Sequence, residues 1–346
     1  MPIRAVLMND TRADRHFGCL RVMRLIEKRL AGQGIEIAGR SPIRNDWEND
    51  RAFLDAMGRS DLVVINGEGT FHHGAQSALR LLKVVDHPAR AGKPVALINT
   101  LYQDNPKEWR RYLDKIALVS ARDSRSAAEI EALTGRRTPV VPDMSLSDGM
   151  LAAPGGPGRD RILVGDSVSR TLSRTLREIA RHSPDTFFLP ILTTLKAPRA
   201  HWPFPIRQLR EAFIHAHAAA AGALDRKILF SRTEEEFIAH LLRARLHVTG
   251  RFHAVCFCLF TGTPFLAVDS NSWKIAALLD DFGLGRQRLV TAEELRERLA
   301  QGGAEDYSDE ERARIEAGLR LCTEKARDLF GEIAGLARDG GDVRRG

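Results

Sequence analysis

The sequence predicts an α/β protein built from two Rossmann-like domains whose parallel sheets face a cleft. Short apolar runs of strand length alternate with amphipathic stretches of helix length, the pattern of a doubly wound parallel sheet. The runs are nearly continuous in apolar residues, as expected for strands covered on both faces. The alternation stops at a stretch rich in proline and glycine, LAAPGGPGRDR at 151–161, and then starts again. The 346 residues suffice for two such domains.

The first half predicts six strands, with helices over 19–34 and roughly 76–91. The strands are RAVLM (4–8), IEIAG (35–39), DLVVIN (61–66), PVALIN (94–99), ALVSARD (117–123) and TPVVPD (138–143). We therefore expect an N-terminal domain over residues 1–150.

The second half repeats the pattern after the break. Its predicted strands are ILVGDS (162–167), TFFLPIL (186–192), KILF (227–230), RLHVTG (245–250) and PFLAVD (264–269). They predict a C-terminal domain over 151–308. A long helical pattern at about 309–337 opens a last segment, 309–346, a helix and tail that could pack back on the N-terminal domain.

The composition is that of a globular protein of a reducing compartment. Hydrophobic residues make up 43% and charged residues 28% of the chain. The four cysteines, Cys19, Cys256, Cys258 and Cys322, are too few and too scattered for a disulfide framework. Cys256 and Cys258 form a C-x-C rather than a C-x-x-C pair, so we expect them to pack in the core and not to bind zinc.

The net charge of +7 favours an anionic partner. The basic residues are spread along the chain, and no nucleic-acid-binding motif is visible, so a nucleic acid is not expected. A small anionic ligand, or an anionic membrane surface carrying a lipid-linked substrate, fits the charge as well. No signal peptide is visible and no apolar run approaches the ~20 residues of a membrane helix. We expect a cytoplasmic protein with peripheral contact to the inner face of the membrane.

The candidate functional residues follow the predicted strands, because ligands of open α/β sheets bind beyond the carboxyl ends of strands. NDTRADRHFGC follows the first strand, where a plain loop with a helix cap is the alternative. GEGTFHHG follows the strand at 61–66; it has neither the dinucleotide fingerprint nor a P-loop lysine. Its adjacent histidines are poorly placed to share one ion, so a polar substrate pocket is favoured over a metal site.

A second group surrounds TGRFHAVCFCLFTGTPFLAV at 249–268. Gly250 makes a turn after a strand, and Arg251 and His253 then lie at the start of a helix that ends at Gly262. Free N–H groups and the helix dipole favour an anion at such a start, and an arginine adds a fixed positive group. A buried arginine needs a partner. We expect an arriving anion rather than an internal carboxylate.

Other strand ends give weaker candidates. The tip after PFLAV reads DSNSWK and offers Ser270, Asn271 and Lys274. Arg122 lies at the end of the strand predicted at 117–123, with Ser124 as a candidate helix cap, and an Arg122–Asp123 pair or a solvated face is the alternative to a ligand. Asp166 and Ser167 read as caps of the next helix, and Thr233 as the cap of a helix whose first turn is Glu234–Glu236.

The order of these motifs resembles the polysaccharide pyruvyl transferase family over about residues 5–285. TGRFHA, TGTPFLAV and a lysine at a helix start resemble its C-terminal signature, R-L-H, a short apolar helix, G-x-P and a lysine. INGEGTF, SARDSRS and VVPD resemble earlier landmarks. Phe252 replaces the usual leucine, Glu68 stands where a third glycine is common, and NDTRADRHFGC replaces a shorter N-x-G-D loop.

The resemblance implies a glycosyltransferase-B-like fold and a transferase that moves a pyruvyl group from phosphoenolpyruvate to a sugar, forming a ketal. The acceptor would belong to a cell-surface polysaccharide or its lipid-linked precursor. Phosphoenolpyruvate would be a co-substrate, with no cofactor and no metal. The donor would be held by Arg251 and His253, with Arg122 as a second arginine and with Gly250, Ser270, Asn271 and Lys274.

The N-terminal residues would then bind the acceptor. They are Asn9, Asp10, Thr11, Arg12, His16, Gly67, Glu68, Gly69, Thr70, His72, His73 and Asn99. Ketal formation needs an acid and a base. His253 is the candidate acid, and Asp10, Glu68 and His72 are candidate bases.

Two other functions remain open at this stage. A glycosyltransferase of the same fold, using a nucleotide-activated sugar for surface polysaccharide synthesis, would also place a phosphate at a cationic helix start. A non-catalytic protein that binds a sugar or a lipid carrier would not need Arg251 and His253 for its function.

Overall fold

A computed structural model describes residues 2–149, 159–191, 198, 202–268, 272–302 and 306–342. The predicted linker at 151–161 lies almost wholly outside the described residues, as do Ser270 and Asn271. Two compact units result. Unit 1 holds 1–13, 22–147 and 322–346, and unit 2 holds 14–21 and 148–321. The predicted boundary near 150 is close to one of these divisions, whereas the grouping of residues 14–21 has no counterpart in the predicted domains.

Unit 1 is built on a parallel sheet whose strands alternate with helices. Its strands are β1 (Ile3–Asp10), β2 (Ile35–Pro42), β3 (Leu62–Asn66), β4 (Phe71–His72), β5 (Val95–Thr100), β6 (Tyr102–Gln103) and β7 (Leu118–Ala121). The main sheet has the order β2-β1-β3-β5-β7, and β4 pairs with β6 in a separate ribbon. The helices of this part of the chain are α1 (Phe17–Gly32), α2 (Arg51–Gly58), α3 (Gln76–Leu82), α4 (Arg110–Leu113) and α5 (Ser124–Thr134).

Strand β1 shows why the apolar runs are continuous. Val6 and Met8 belong to one core cluster, which contains Trp47 and Phe53. Ala5 and Leu7 belong to the cluster on the other face, which contains residues of α1 and the apolar residues from Ala326 to Ala337. Because side chains alternate along a strand, a sheet covered on both faces requires apolar residues at every position.

Unit 2 repeats this architecture with a second parallel sheet. Its strands are β8 (Arg161–Ser167), β9 (Thr186–Phe188), β10 (Ala244–Gly250), β11 (Phe265–Val268) and β12 (Leu289–Val290), in the order β12-β11-β10-β8-β9. The helices that follow are α6 (Arg170–His182), α7 (Phe204–Leu224), α8 (Glu234–Leu242), α9 (Phe252–Thr261), α10 (Lys274–Asp281), α11 (Ala292–Ala300) and α12 (Asp309–Asp342).

Each sheet has one topological switch point. In the first sheet the chain proceeds outward from β1 to β2 and then in the other direction through β3, β5 and β7. In the second sheet it proceeds from β8 to β9 and then in the other direction through β10, β11 and β12. Ligands of such sheets bind beyond the strand ends at the switch point, which directs attention to β1 and β3, and to β8 and β10.

The predicted fold class is confirmed, and most predicted strands are present. Two are not strands: TPVVPD and KILF each contribute a single bridge, at Val140 and Ile228. The helix predicted at 76–91 is α3 followed by single 3₁₀ turns at Lys83–Asp86 and Pro88–Arg90. Cys256 and Cys258 are fully buried in α9, as expected. No helix in the described part of the chain is both long and apolar enough to cross a membrane.

Candidate active site

A buried polar network joins the ends of β1 and β3 in unit 1. Asn9 Nδ2 donates to Asn66 O at 2.7 Å and to Thr70 Oγ1 at 3.0 Å. Thr11 Oγ1 donates to Glu68 Oε2 at 2.8 Å, and Asn66 Nδ2 donates to the same oxygen at 3.2 Å. All five residues are buried. The structure therefore brings the predicted residues Asn9, Thr11, Glu68 and Thr70 together across the switch point.

The backbone at these strand ends adopts conformations that few residues tolerate. Asn9 and Asn99 have φ of 63° and 56°, in the left-handed region where asparagine is favoured among residues with a side chain. Gly67 lies so close to β5 that a Cβ there would meet Thr100 Oγ1 at 2.5 Å. Such strain is often found at functional sites, where surrounding bonds hold it in place. Here Asn99 Nδ2 donates to Asn66 Oδ1 at 3.3 Å.

Asp10 and Arg12 form a hydrogen-bonded ion pair. Arg12 Nε donates to Asp10 Oδ1 at 2.9 Å, and Arg12 Nη2 lies 2.9 Å from Glu27 Oε1. The hydrogen bond with Asp10 raises the pKa of the Arg12 guanidinium, with Glu27 adding to the effect. Arg12 thus serves an ion-pair cluster within its own unit.

His72 ends β4 of the β4–β6 ribbon and donates its N–H to Thr70 O at 3.1 Å, and His73 follows it. Their rings are edge-on with centroids 5.2 Å apart. His73 is exposed, has a φ of 53°, and places Nδ1 3.4 Å from the Asp104 carboxylate. Gly69, on the loop before them, is exposed as well.

Arg122 is buried in unit 1 beside a carboxylate. Its Nη1 lies 3.3 Å from Asp143 Oδ2, and both side chains are almost completely inaccessible. Asp143 also accepts the N–H of Ser145 and so begins a 3₁₀ turn. Asp123, the carboxylate that the sequence offers as a partner for Arg122, caps α5 by accepting the N–H of Ser126, a role expected for Ser124. Arg122 thus lies in unit 1, among the predicted acceptor residues.

In unit 2, Arg251 and Asp166 bridge the ends of β10 and β8. Arg251 Nε and Nη2 both lie 2.7 Å from Asp166 Oδ2. The expectation that no internal carboxylate faces Arg251 is therefore wrong. Asp166 does not cap α6 either, because Ser169 does. The parallel register, Gly250 opposite Ser167, places the residues that flank this pair at the same sheet edge.

The Asp166 carboxylate is held by more than the arginine. It accepts the N–H of Ile191 at 3.0 Å, and its side chain is 8% exposed. Burial raises the pKa of Asp166, while Arg251 acts in the opposite direction. Gly250 has no room for a side chain, since a Cβ there would meet Ser167 Cβ and Oγ at 2.7 Å.

The start of α9 is as predicted. Arg251 is the N-cap residue, makes no side-chain capping bond in the described chain, and donates its own N–H to Thr249 Oγ1 at 3.1 Å. His253, the second residue of the helix, is buried. The helix ends at Gly262 in the left-handed conformation, with φ of 62°. Thr233 caps α8, also as predicted.

His16 lies against His253, rather than with the acceptor residues with which it was grouped. Their ring centroids are 5.2 Å apart. Gly18 also lies against His253, since a Cβ at Gly18 would fall 2.2 Å from His253 Cγ. This first turn of α1 is anchored within unit 2 because Arg21 Nη1 donates to Glu234 Oε1 at 2.7 Å and stacks 4.1 Å from the centroid of Phe260.

Cys19 lies close to both histidines. The donor atoms of His16, Cys19 and His253 lie within 4.8 Å of one another, so this trio is the group in the described residues that could hold a metal ion. His16 Nδ1 already accepts the N–H of Gly18 at 3.1 Å. In a neutral imidazole that bond places the ring proton on Nε2. A protonated Nε2 has no lone pair to offer, so ligation of a metal ion through His16 Nε2 is disfavoured.

Lys274 is the first residue of α10, as predicted, and is half-buried. α10 follows β11, which pairs in parallel with β10, so both helix starts lie at the same edge of the second sheet. Ser270 and Asn271 lie outside the described residues.

Sequence reasoning missed or misread four members of these clusters: Asn66, Asp143, Asp166 and Cys19. Asn66 and Asp166 end β3 and β8 and so carried the signal of a polar residue at a strand end. Cys19 carried none, because a single cysteine in a helical pattern reads as core.

The two parallel α/β sheets define a two-domain fold of the glycosyltransferase-B type. The UDP-GlcNAc 2-epimerase of Neisseria meningitidis, solved bound to UDP-GlcNAc, is similar, with 8% identity, a TM-score of 0.51, and coverage of 96% of this chain and 99% of that chain. A UDP-forming α,α-trehalose-phosphate synthase of Burkholderia vietnamiensis is similar at 12% identity and a TM-score of 0.50, covering 96% and 98%. These likenesses establish the fold alone.

The family model for polysaccharide pyruvyl transferase matches residues 16–272, most of the chain. The chain belongs to the polysaccharide pyruvyl transferase family and is therefore a transferase, with a saccharide as the acceptor class. Comparison with curated proteins gave no match. The matched span begins at His16 and includes the whole of the Arg251–His253 segment.

Proposed function

We propose that this protein transfers a pyruvyl group from phosphoenolpyruvate to a hydroxyl pair of a saccharide, forming a ketal and releasing phosphate. The acceptor belongs to a cell-surface polysaccharide or its lipid-linked precursor. The observation that carries the donor assignment is the position of Arg251 and His253 at the start of α9, at the switch point of the second sheet. Family membership supports pyruvyl transfer as the reaction class.

The start of α9 suits a small, highly charged donor. The N–H groups of its first turn point along the helix axis, where the helix dipole favours an anion. Asp166 accepts from Nε and Nη2 of Arg251 and fixes the plane of the guanidinium. We assign the other guanidinium donors to the phosphate or carboxylate of phosphoenolpyruvate. Lys274 adds positive charge at the same sheet edge.

The reaction needs one proton delivered to carbon and two protons removed from hydroxyl oxygens. Two acceptor hydroxyl oxygens bond to C2 of the enolpyruvyl group, C3 gains a proton and becomes a methyl group, and the C2–O bond to phosphate breaks. Of the two hydroxyl protons, one balances the proton on C3 and the other leaves with phosphate. We assign delivery to C3 to His253, which lies at the start of the anion-binding helix.

The base is assigned to Glu68 in unit 1. Asp10 is engaged by the Arg12 guanidinium, whereas Glu68 Oε2 accepts from the neutral Thr11 hydroxyl and Asn66 amide. His72 lies on the separate β4–β6 ribbon. Asn9, Thr11 and Thr70, joined to Glu68 in one network, are assigned to acceptor binding. The proposal includes no metal and no cofactor.

A glycosyltransferase using a nucleotide-activated sugar is the second candidate, since the same helix start also suits a diphosphate. A calorimetric titration of the protein with phosphoenolpyruvate and with UDP-glucose separates the two. We expect saturable binding of phosphoenolpyruvate, and we expect Arg251→Ala to weaken it by about 1–3 kcal/mol, which is roughly five- to 150-fold, for a lost charge-assisted contact.

Arg251→Ala also leaves Asp166 buried without its partner, which destabilises the fold. The double variant Arg251→Ala/Asp166→Asn removes that charge and should recover thermal stability without recovering donor affinity. Recovery of affinity in the double variant would refute the donor role of Arg251. Saturable UDP-glucose binding with no phosphoenolpyruvate binding would support the second candidate instead.

A further inference from the structure

Helix α7 concentrates exposed apolar side chains. Seven large hydrophobic residues are exposed in the described part of the chain, and four of them lie on this helix: Phe204, Ile206, Leu209 and Phe213, at 62%, 50%, 72% and 53% exposure. Clusters of this kind on a soluble domain mark interaction surfaces, whereas single exposed hydrophobics are ordinary.

Three of these residues form one face of the helix. Ile206, Leu209 and Phe213 follow the i, i+3, i+7 spacing of a single helical stripe, which we call the apolar face of α7. The helix is attached to its domain by other sides. Ile214 is fully buried, and Glu211 forms an ion pair with Arg15 at 2.6 Å. The apolar face is thus presented outward from unit 2.

Positive charge borders this face. The guanidinium carbon of Arg207 lies 5.9 Å from the ring centroid of Phe204, and that of Arg210 lies 5.6 Å from the centroid of Phe213. The acid on this helix, Glu211, is neutralised by Arg15. The charged ends of both arginines therefore lie next to aromatic rings, and such a pairing of cation and apolar surface suits the boundary between lipid tails and headgroups.

A row of arginines also lies along α6. Arg170, Arg174, Arg177 and Arg181 follow i, i+4, i+7, i+11 spacing and so share one side of that helix. Asp225, the residue that follows α7, pairs with Arg181 at 2.7 Å and lies 3.8 Å from Arg177. At its C-terminal end this row is paired with the Asp225 carboxylate, so Arg207 and Arg210 are the basic residues that lie against the rings of α7.

We propose that α7 is an interfacial helix that docks unit 2 on an anionic lipid bilayer. The apolar face enters the boundary between headgroups and acyl chains, and the arginines contact anionic headgroups. A two-fold dimer through this face would bury the apolar side chains but give Arg207 and Arg210 no acidic partner on α7, since the acid of that helix, Glu211, already pairs with Arg15. The bilayer is the occupant that satisfies both the apolar and the basic residues.

Docking would hold the protein where a lipid-linked saccharide is presented. That consequence rests on the proposed function, whereas docking itself does not. Vesicle binding and phosphate release from phosphoenolpyruvate are therefore measured separately on the same preparations, with a soluble oligosaccharide in the second assay. If vesicle binding is absent, phosphate release still tests the proposed reaction, and if phosphate release is absent, vesicle binding still tests docking.

The test is co-sedimentation of the full chain with vesicles of phosphatidylcholine alone and of phosphatidylcholine with phosphatidylglycerol. We expect binding to the anionic vesicles to exceed binding to the neutral ones at least about tenfold, and to weaken as salt is added. Leu209→Ser/Phe213→Ser and Arg207→Gln/Arg210→Gln should each abolish most of it. Leu321→Ser, at an exposed leucine on α12, is the control and should bind like the wild type.

Several results would overturn the proposal. They are absence of binding to anionic vesicles, equal binding to neutral vesicles, or wild-type binding by Leu209→Ser/Phe213→Ser. A dimer in light scattering that this double variant dissociates would identify the apolar face as a contact between copies. A fall in its thermal midpoint without vesicles would identify the face as covered by the chain itself.

Discussion

At the scale of single residues, the fit between Gly18 and His253 determines where the candidate acid lies. The imidazole occupies the space in which any larger residue at 18 would place its Cβ, 2.2 Å from Cγ. The ring is also packed against His16 and Phe252, with centroids at 5.2 and 5.4 Å. His253 is therefore positioned by the first turn of α1 as much as by its own helix.

Gly18→Ala should displace His253 and lower kcat for pyruvyl transfer by at least about tenfold, because a misplaced catalytic group loses its geometry. The overpacked contact should also cost about 1–3 kcal/mol of stability. Gly32→Ala, in the same helix, is the matched control, since a Cβ there meets nothing within 4 Å. Steady-state kinetics and thermal unfolding of both variants check this. Wild-type kcat in Gly18→Ala would contradict the positioning role.

Residue chemistry was readable from the sequence, but residue partners were not. A glycine followed by R-F-H after an apolar run predicted the strand end, the helix start and the two side chains at it. Asp166, 85 positions before Arg251, becomes its partner because β8 and β10 are neighbours in the sheet. That neighbour relation is a property of the fold, so no local pattern could distinguish an internal carboxylate from an arriving anion.

At the scale of elements, helix α12 is tied to the second sheet by one buried ion pair. Arg288, at the start of β12, donates from Nε and Nη2 to the two oxygens of Glu311 at 2.7 Å each. The same guanidinium donates to Phe265 O in β11 at 3.1 Å and lies 4.4 Å from the Tyr307 ring centroid. A bidentate, nearly inaccessible pair of this kind contributes more than an exposed one.

Glu311→Gln should lower the free energy of unfolding by about 1–3 kcal/mol at neutral pH, as expected for a lost bond to a charged group. The hydrogen bond from Arg288 lowers the pKa of Glu311 from its ordinary 4.5. Since the unfolded chain then takes up the proton first, the contribution is complete above about pH 4.5 and disappears as the pH falls through the lowered pKa. The difference between variant and wild type should shrink over that range.

The control for this pair is its neighbour on the same helix. Glu310 pairs with Arg314 at 2.6 Å, but its side chain is 74% exposed. Glu310→Gln should therefore change the unfolding free energy by no more than about 0.5 kcal/mol. Urea denaturation at several pH values measures both. Equal effects of the two substitutions would contradict a structural role for the buried pair.

The same scale shows what elements the sequence could and could not predict. Continuous apolar runs such as DLVVIN and PVALIN are strands, because their burial on both faces leaves a clear signal. TPVVPD and KILF are also short runs that contain apolar residues typical of strands. Each contributes only a single bridge at the margin of a sheet, at Val140 and Ile228. The two-residue strands β4, β6 and β12 are too short to show a period of two.

At the scale of the whole molecule, repetition of one pattern on either side of a proline- and glycine-rich break predicted two parallel α/β units. The assignment of residues 14–21 to unit 2 depends on contacts with residues such as Glu234 and Phe260, more than 200 positions away. Sequence order alone assigns them to unit 1. His16 was for that reason grouped with the acceptor residues.

The central claim is that this member of the pyruvyl transferase family uses phosphoenolpyruvate as its donor. The direct measurement incubates the protein with phosphoenolpyruvate and a panel of hexose- and N-acetylhexosamine-containing oligosaccharides, and follows released phosphate together with acceptor mass. We predict phosphate release matched by a gain in acceptor mass equal to pyruvate less one water, lost in His253→Ala. Glycosyl transfer to the same panel from a nucleotide sugar, with no phosphate released from phosphoenolpyruvate, would contradict the claim.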